Sequence, residues 1–542
     1  MSGSTSRTAE HRTRSPSSRT TRRPSALWTK IIVAIGLVAC LLPSMIRPAE
    51  FMQDDSYFYL QVAHNIAQGL GSTFHGITPT NGYHPLWLWM VALVSTVADA
   101  DKTMTLYLVF VLQAMLVISA MLVLRRLASL MSLRYWLIGL AVLAAYLLGT
   151  AIYGSEAHVN ALSLLASLAC LWTALERQQS WRWFLTGIVF GIALLARLDN
   201  IFVIGGLSAL AVFHAAGGNL RQIVARAISL GIGGAMVVVP YLAGNYIDYG
   251  HLVPISGAIK STFPSLNPDW HNLGTMGKLA TPFGLVGVLT GLLLDKDPKR
   301  RVIWLGLGTG VLIHAVYIVC YTDHYTFWAW YYVPAVITAA LSASYIFGWV
   351  MCRFPSLLRP DIASRAAFLL TVAVLSAGSA RAWIKGFGFE GIGPLRVEIK
   401  INKYRWPDEF GRWMKKHFPA GTRIFVYDWP GAIAYYSDLP LLPMDGLMND
   451  FQYNDDLVRV GIHSYLCAHD VRYFFGLIEP WQRDVEVVVT APLYRTPVGT
   501  LYLEEEDIVV RTDDVLDRPE EALPFAIWKL DCKTQSGSSE LS

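Results

Sequence analysis

The apolar positions of this chain gather into long unbroken runs instead of alternating with polar ones. Runs of roughly spanning length occupy 27–46, 103–124, 133–152, 156–175, 181–196, 200–216, 223–244, 276–294, 302–321, 327–350 and 363–384, sized to cross about 30 Å of hydrocarbon as helices. These eleven stretches predict a mainly α, polytopic transmembrane bundle over 26–384. A further apolar stretch, 86–98, is too short to cross as a helix and predicts a re-entrant or interfacial segment, anchored at the membrane boundary by Trp87 and Trp89. Beyond residue 385 the runs shrink to strand length, at 423–427, 472–477, 485–489 and 508–510, with helical patterns at 409–417 and 455–467 between them. That change predicts a C-terminal α/β domain over 385–534, followed by a disordered tail at 535–542.

Composition sharpens this picture. A mean hydropathy of +0.39, with 54% hydrophobic and 15% charged residues, excludes an ordinary soluble enzyme, and a net charge of only +4 argues against a nucleic-acid partner. Arg and Lys fall on every second loop, at 125–134, 177–182, 221–226, 299–301 and 353–365. The positive-inside rule makes those loops cytoplasmic, together with a disordered, Arg-rich tail at 1–25. The first outer loop (47–102), the turns at 153–156, 197–200, 245–275 and 322–326, and everything beyond the last span then face outward. The stretch 27–46 has a charged flank like a signal peptide, but its core is longer and no A-x-A site follows, so a retained span is expected. Among the 6 cysteines, Cys467 and Cys532 could pair in an oxidising compartment or be two unrelated thiols.

Only 15 of the 40 acids precede residue 385, and ten of those lie on the loops assigned to the outer side. Ionisable groups at a membrane boundary are partly dehydrated, which makes that face the place to look for chemistry. Residues 53–87 read QDDSYFYLQVAHNIAQGLGSTFHGITPTNGYHPLW. Asp54 and Asp55 open an amphipathic helix whose apolar positions Phe58, Val62 and Ile66 recur every four residues, and it is expected to lie along the outer membrane surface. At a helix N-terminus the dipole and free N–H groups keep a carboxylate ionised, which suits a general base or a metal ligand as well as a plain cap. Successive side chains on a helix point about 100° apart. At most one of the pair is therefore expected to serve as base, while the other caps, positions or binds a cation.

An acidic pair just after the first span, a surface helix, a turn with Gly69 and Gly71, and Asn81-Gly82-Tyr83-His84-Pro85-Leu86-Trp87 entering an apolar segment together resemble the first outer loop of the GT-C superfamily. These are polytopic glycosyltransferases that use polyprenyl-phosphate sugars. Gly154-Ser155-Glu156 resembles the small-residue-plus-Glu junction of that family, and Arg197-Leu198-Asp199-Asn200 its Arg-x-acid turn. The stretch 245–260 resembles the loop that approaches the lipid-linked donor. Val426-Tyr427-Asp428, residues 431–436 and Asp445-Gly446-Leu447 resemble the terminal domain of arabinofuranosyltransferase-like and mannosyltransferase-like members.

The resemblance implies an integral membrane glycosyltransferase that moves a sugar from an outward-facing polyprenyl phosphate to an extracytoplasmic cell-envelope glycan or glycolipid, with inversion. It assigns the general base to Asp54 or Asp55, and makes Tyr57, Tyr83, His84, Glu156, Arg197, Asp199 and Lys260 the substrate-binding candidates, Arg197 and Lys260 for the donor phosphate. The residues themselves leave competing roles open. Arg197 could snorkel or pair with Asp199, Lys260 could be an ordinary loop lysine, and His84 could only cap the segment behind it. Glu156 could do no more than hydrogen-bond a helix end, and Asp428 and Asp445 could stabilise turns or bind acceptor. The cluster Tyr325, Phe327, Trp328, Trp330, Tyr331 and Tyr332 could be an interfacial belt or a sugar platform. Trp330 stands where relatives carry an Arg, which counts against a phosphate contact from that span. Metal use is open, since two carboxylates without an evident third oxygen ligand could share a divalent cation or leave charge neutralisation to the basic groups. A transporter or lipid flippase is the alternative from another class, opposed by spans nearly free of charge at mid-depth and by the lack of an internal repeat. A catalytically silent scaffold is a third.

Overall fold

The structure is a computed structural model that describes residues 26–149, 152–323, 328–354, 356, 359–387, 406–478, 482–516 and 524–532. The expected tails at 1–25 and 535–542, and Tyr325 and Phe327 of the aromatic cluster, lie outside the described residues. Among the described residues, nine helices are long and apolar enough to span: Leu27–Ile46, Lys102–Leu130, Ala157–Arg177, Leu198–Ala216, Leu220–Tyr249, Trp270–Leu294, Pro298–Tyr321, Ala329–Arg353 and Pro360–Phe387. The other two expected spans are the shorter apolar helices Trp136–Leu147 and Ser180–Ala196. At 1.5 Å per residue they reach only about 18 and 26 Å. Trp136–Leu147 buries Leu140, Leu143, Ala144 and Leu147 among its neighbours. A helix so enclosed by protein need not match the hydrocarbon thickness. The chain is thus a multi-pass membrane protein with a mainly helical membrane domain.

Local chemistry sets several of the helix starts. Asp101 accepts the Met104 N–H at 2.6 Å to cap Lys102–Leu130. Asp297 accepts from Lys299 and Arg300 ahead of Pro298–Tyr321, whose first residue is a proline that gives up no hydrogen bond there.

The short apolar stretch forms the helix Pro85–Val97. Trp87 is fully buried, its indole N–H donating to the Gly154 carbonyl at 2.9 Å, so of the two expected anchors only Trp89 is exposed. The acidic pair opens the helix Asp54–Ala67 as expected, with Asp54 and Asp55 in its first turn. It is not, however, a surface helix with one apolar face. Ser56, Tyr57, Phe58, Leu60, Gln61, Val62, Ala63, His64 and Asn65 are all buried, because Pro85–Val97 covers one flank and the C-terminal domain the other. One apolar cluster runs through the junction, joining Phe58, Leu60 and Trp87 to Phe410, Ile433 and Tyr435.

In the C-terminal domain, β1 (Arg423–Val426), β2 (Leu441–Pro443), β3 (Val471–Leu477), β6 (Ile508–Arg511) and β7 (Phe525–Lys529) form a sheet in the order β2-β1-β3-β7-β6, while β4 (Val485–Ala491) and β5 (Thr496–Leu503) make a separate hairpin. The first three strands are parallel, Ile424 lying opposite Leu441 on one side and Tyr473 on the other. Helices Pro430–Ser437 and Phe451–Ala468 supply the crossovers that parallel strands require. Cys467 and Cys532 are joined in a disulfide that ties the second crossover helix to the residues after β7. Asp428 and Asp445 follow the carboxyl ends of β1 and β2, the edge where open α/β sheets present their ligand-facing loops.

Candidate active site

The first loop builds the frame. Asn65 donates to the carbonyls of Thr73 and Phe74 at 2.8 and 3.1 Å, and Ser72 to that of Thr80 at 2.8 Å, folding 71–83 back over the helix. Asn81 then accepts the Ile255 N–H at 3.0 Å, fixing the start of the short helix Ile255–Lys260 and with it the position of Lys260 at its end. Thr80 donates to the Asn449 carbonyl at 3.0 Å. At Gly82 a Cβ would lie 1.8 Å from the carbonyl oxygen of Leu447, so the terminal-domain backbone seats directly on this glycine.

Between these parts lies a small cavity of about 60 Å³, room for a few water molecules. Asp55, Tyr59, Tyr83, His84, Glu156 and Lys260 line it from the membrane-domain side, with Trp330 and Tyr331. Leu447 and Met448 of the terminal domain close it.

The two aspartates part company here. Asp55 faces the cavity; burial raises its carboxyl above the usual carboxylate range, with the Lys260 charge pulling it back. Asp54 turns to the terminal domain, where Oδ2 accepts the Gly431 N–H at 3.0 Å and Oδ1 the Ala432 N–H at 2.8 Å, at the N-terminus of Pro430–Ser437. Burial pushes Asp54 up to about 8 against the pull of those two donors. A Cβ on Gly431 would fall 2.3 Å from the Asp54 carbonyl oxygen, so this contact also requires glycine. Tyr57 follows Asp54, its hydroxyl 3.2 Å from that of Tyr436 and outside the cavity.

Lys260 donates to the Tyr331 hydroxyl at 3.2 Å. Burial opposes its charge, yet Tyr331 and Asp55 hold it above the ordinary lysine range. His84 sits 3.7 Å from Glu156, and burial, helped by the Arg197 charge, lowers it to about 4, which leaves a neutral imidazole at pH 7. Tyr83 is 2.6 Å from the Ser72 hydroxyl. Asp445 accepts the Leu447 N–H at 3.0 Å, and burial, helped by the Asp55 charge, lifts it to about 6.

Arg197 and Asp199 stand behind this wall. Arg197 is only 2% exposed. It pairs with Glu156 and with Asp199, the latter through Nε at 3.0 Å and Nη2 at 2.8 Å, and lies 4.2 Å from the Tyr331 ring centroid. His314 lies 3.4 Å from Asp199 on the far side. Arg197 therefore reaches the cavity only through Glu156 and Tyr331. Of the residues expected in the site, the cavity collects Asp55, Tyr83, His84, Glu156 and Lys260, while Asp54, Tyr57, Arg197 and Asp199 act from its surroundings. Tyr59 was not singled out from the sequence, although its place one helical turn past Asp55 was the available signal; its hydroxyl donates to Glu156 at 3.1 Å. Ser256 was missed as well, and lines the cavity one turn before Lys260. Among the described residues, no group of three or more His, Cys, Asp or Glu is arranged to hold a metal ion.

The overall fold is similar to that of a solved structure of ArnT from Cupriavidus metallidurans bound to undecaprenyl phosphate, at a TM-score of 0.54 over 88% of this chain and 98% of that one, with 12% sequence identity. The fold is that of ArnT. The apo form of the same protein matches at 0.52, again with 12% identity, over 88% of this chain and 97% of that chain. The GT-C resemblance read from the first loop is thus borne out at the level of fold. In sequence, residues 397–516 match a family described as a domain of unknown function, DUF8728, which covers most of the terminal sheet. No curated protein matches the chain.

Proposed function

We propose that this chain is a membrane glycosyltransferase that takes a sugar from a polyprenyl-phosphate donor and passes it, with inversion, to a hydroxyl of a cell-envelope glycan or glycolipid on the extracytoplasmic side. The observation that carries the reading is the meeting of Asp55 and Lys260 at one cavity in a chain with the ArnT fold, a fold solved elsewhere with undecaprenyl phosphate bound. The basic loops on every second connection and the Cys467–Cys532 disulfide support the outward placement of the site and of the terminal domain, in the cytoplasmic membrane.

In this reaction the acceptor oxygen attacks the anomeric carbon as the bond from that carbon to the phosphate oxygen breaks. The acceptor proton passes to the Asp55 carboxylate, and the polyprenyl phosphate leaves with the electron pair. Lys260 serves as the cation beside the departing phosphate, held in place by Tyr331 and by the Asn81 anchor of its helix. Neutral His84 and the hydroxyls of Tyr59 and Tyr83 are placed to hydrogen-bond sugar or phosphate oxygens. The Arg197–Glu156–Asp199 group fixes the wall behind them, its two carboxylates holding the arginine in place.

The test is transfer by purified protein from a panel of polyprenyl-phosphate sugars to candidate acceptors. The expected result is turnover with one lipid-linked donor; turnover with nucleotide sugars alone overturns the donor class.

A further inference from the structure

A second pocket lies on the opposite side of the Asp54–Ala67 helix. Asp55 and Tyr57 are two residues apart, which is about 200° around a helix. Where Asp55 faces the catalytic cavity, Tyr57 meets Tyr436, and Tyr436 forms part of the wall of a groove of about 390 Å³. The groove runs between the terminal domain and the ends of the first two spans, Leu27–Ile46 and Lys102–Leu130.

Its chemistry is divided by level. On the side of the spans it is floored by Ile46 and Tyr107, which are 43% and 41% exposed at the ends of two long apolar helices. Above them stand Arg47, Lys102 and Arg412, against the single acid Glu50, which is buried. Lys102 is engaged with Asp438. The two arginines are exposed and are held by their flat faces or by one edge. Arg47 lies 4.8 Å from the Phe387 ring centroid with Nη1 donating to the Gly386 carbonyl at 3.3 Å, and Arg412 lies 4.3 Å from the Tyr436 centroid. Among the described residues neither forms an ion pair. A stacked guanidinium keeps edge N–H groups available for forked bonding to phosphate oxygens.

We propose that this groove binds the phosphate headgroup of an anionic membrane phospholipid, bridging Arg47 at the end of the first span to Arg412 of the terminal domain. Cations above an apolar shelf at a membrane boundary are complementary to a phosphate above acyl chains, and an anionic leaflet adds attraction for each basic group. This lipid is distinct from a sugar donor, because the Asp54–Ala67 helix and the Tyr57–Tyr436 contact separate the groove from Asp55. The proposal therefore stands or falls apart from the transferase reading.

The test is a binding measurement on the full chain in neutral detergent. Short-chain phosphatidylglycerol is expected to raise the unfolding temperature, with no comparable rise from short-chain phosphatidylcholine or from inorganic phosphate. The rise is expected to vanish in the double variant Arg47→Gln, Arg412→Gln; both side chains are exposed, so their removal leaves the core intact. Arg472→Gln, at the start of the central strand β3 and outside the groove, is expected to keep it. An equal rise in the double variant, the same rise with inorganic phosphate, no rise in the unaltered chain, or loss of the rise in Arg472→Gln overturns the proposal.

Discussion

Asp54 and Asp55 are identical side chains on consecutive residues, yet they face two different surroundings. Asp55 looks into a cavity shared with Lys260, and among the described residues no backbone donor of the terminal domain bonds to it. Asp54 spends both oxygens on the N-terminus of Pro430–Ser437 and so joins the two domains. On the proposed mechanism, the reacting group and the group that ties the terminal domain to the first loop are supplied by one dipeptide. A helix turns about 100° per residue, so the pair can address both partners only because the terminal domain lies against the flank of the helix rather than above its end.

The comparison can be broken most sharply at Asp55. Asp55→Asn is expected to lower transfer by about 10²- to 10⁴-fold, the usual range for a positioned general base, with an unchanged unfolding temperature. Equal loss of rate and stability in that variant would assign Asp55 to structure as well. Next in size is Arg197→Met, which strands Glu156 and Asp199 as buried carboxylates behind the cavity; a loss of about 3–5 kcal/mol is expected, read in unfolding midpoint and in yield. Gly82→Ala forces the Leu447 carbonyl away and is expected to cost about 1–3 kcal/mol, with a faster rate of proteolytic release of the terminal domain as its measure.

Asp54→Asn keeps one acceptor but opposes the second N–H, so a loss of about 1 kcal/mol is expected, together with a fall in rate far smaller than that of Asp55→Asn. The smallest effect is in pH. Burial raises Asp55, and the base must be ionised to accept a proton, so the rate is expected to climb with pH through a limb lying above the ordinary carboxylate range. A limb at or below that range would show that Asp55 is more solvated than its position implies. Asp54 and Asp445 shift the same way, to about 8 and about 6. Their raised folded values mean that any stability they contribute is present at low pH and is lost as pH rises through those values.

Much of the membrane domain was legible because apolar length is a property of sequence alone. The failures have particular causes. The surface helix was misplaced because its polar positions Gln61, His64 and Asn65 are made interior by distant segments: the loop 71–83, whose Thr73 and Phe74 carbonyls Asn65 holds, and the terminal domain, whose Tyr435 faces His64. In the terminal domain β2 is three residues long, too short to carry a pattern, and β5 contains Pro497 and Gly499, which speak against a strand. β7 is a different case: Phe525, Ala526, Ile527 and Trp528 are buried on both faces, a continuous apolar run that was present to be read. In the site, Arg197 and Lys260 looked equivalent as cations near a boundary. Their separation into a sealed ion pair and a cavity-lining amine depends on Glu156 and Tyr331, residues far away in sequence.

The seat of the Leu447 carbonyl on Gly82 bears on how such chains can be recombined. Two surfaces that touch with less space than a methyl group cannot be exchanged independently, so a terminal domain grafted from another chain with the ArnT fold would need the loop it was built against to travel with it. Exchanging the terminal domain in this architecture then means moving the first loop and the loop after β2 as one cassette.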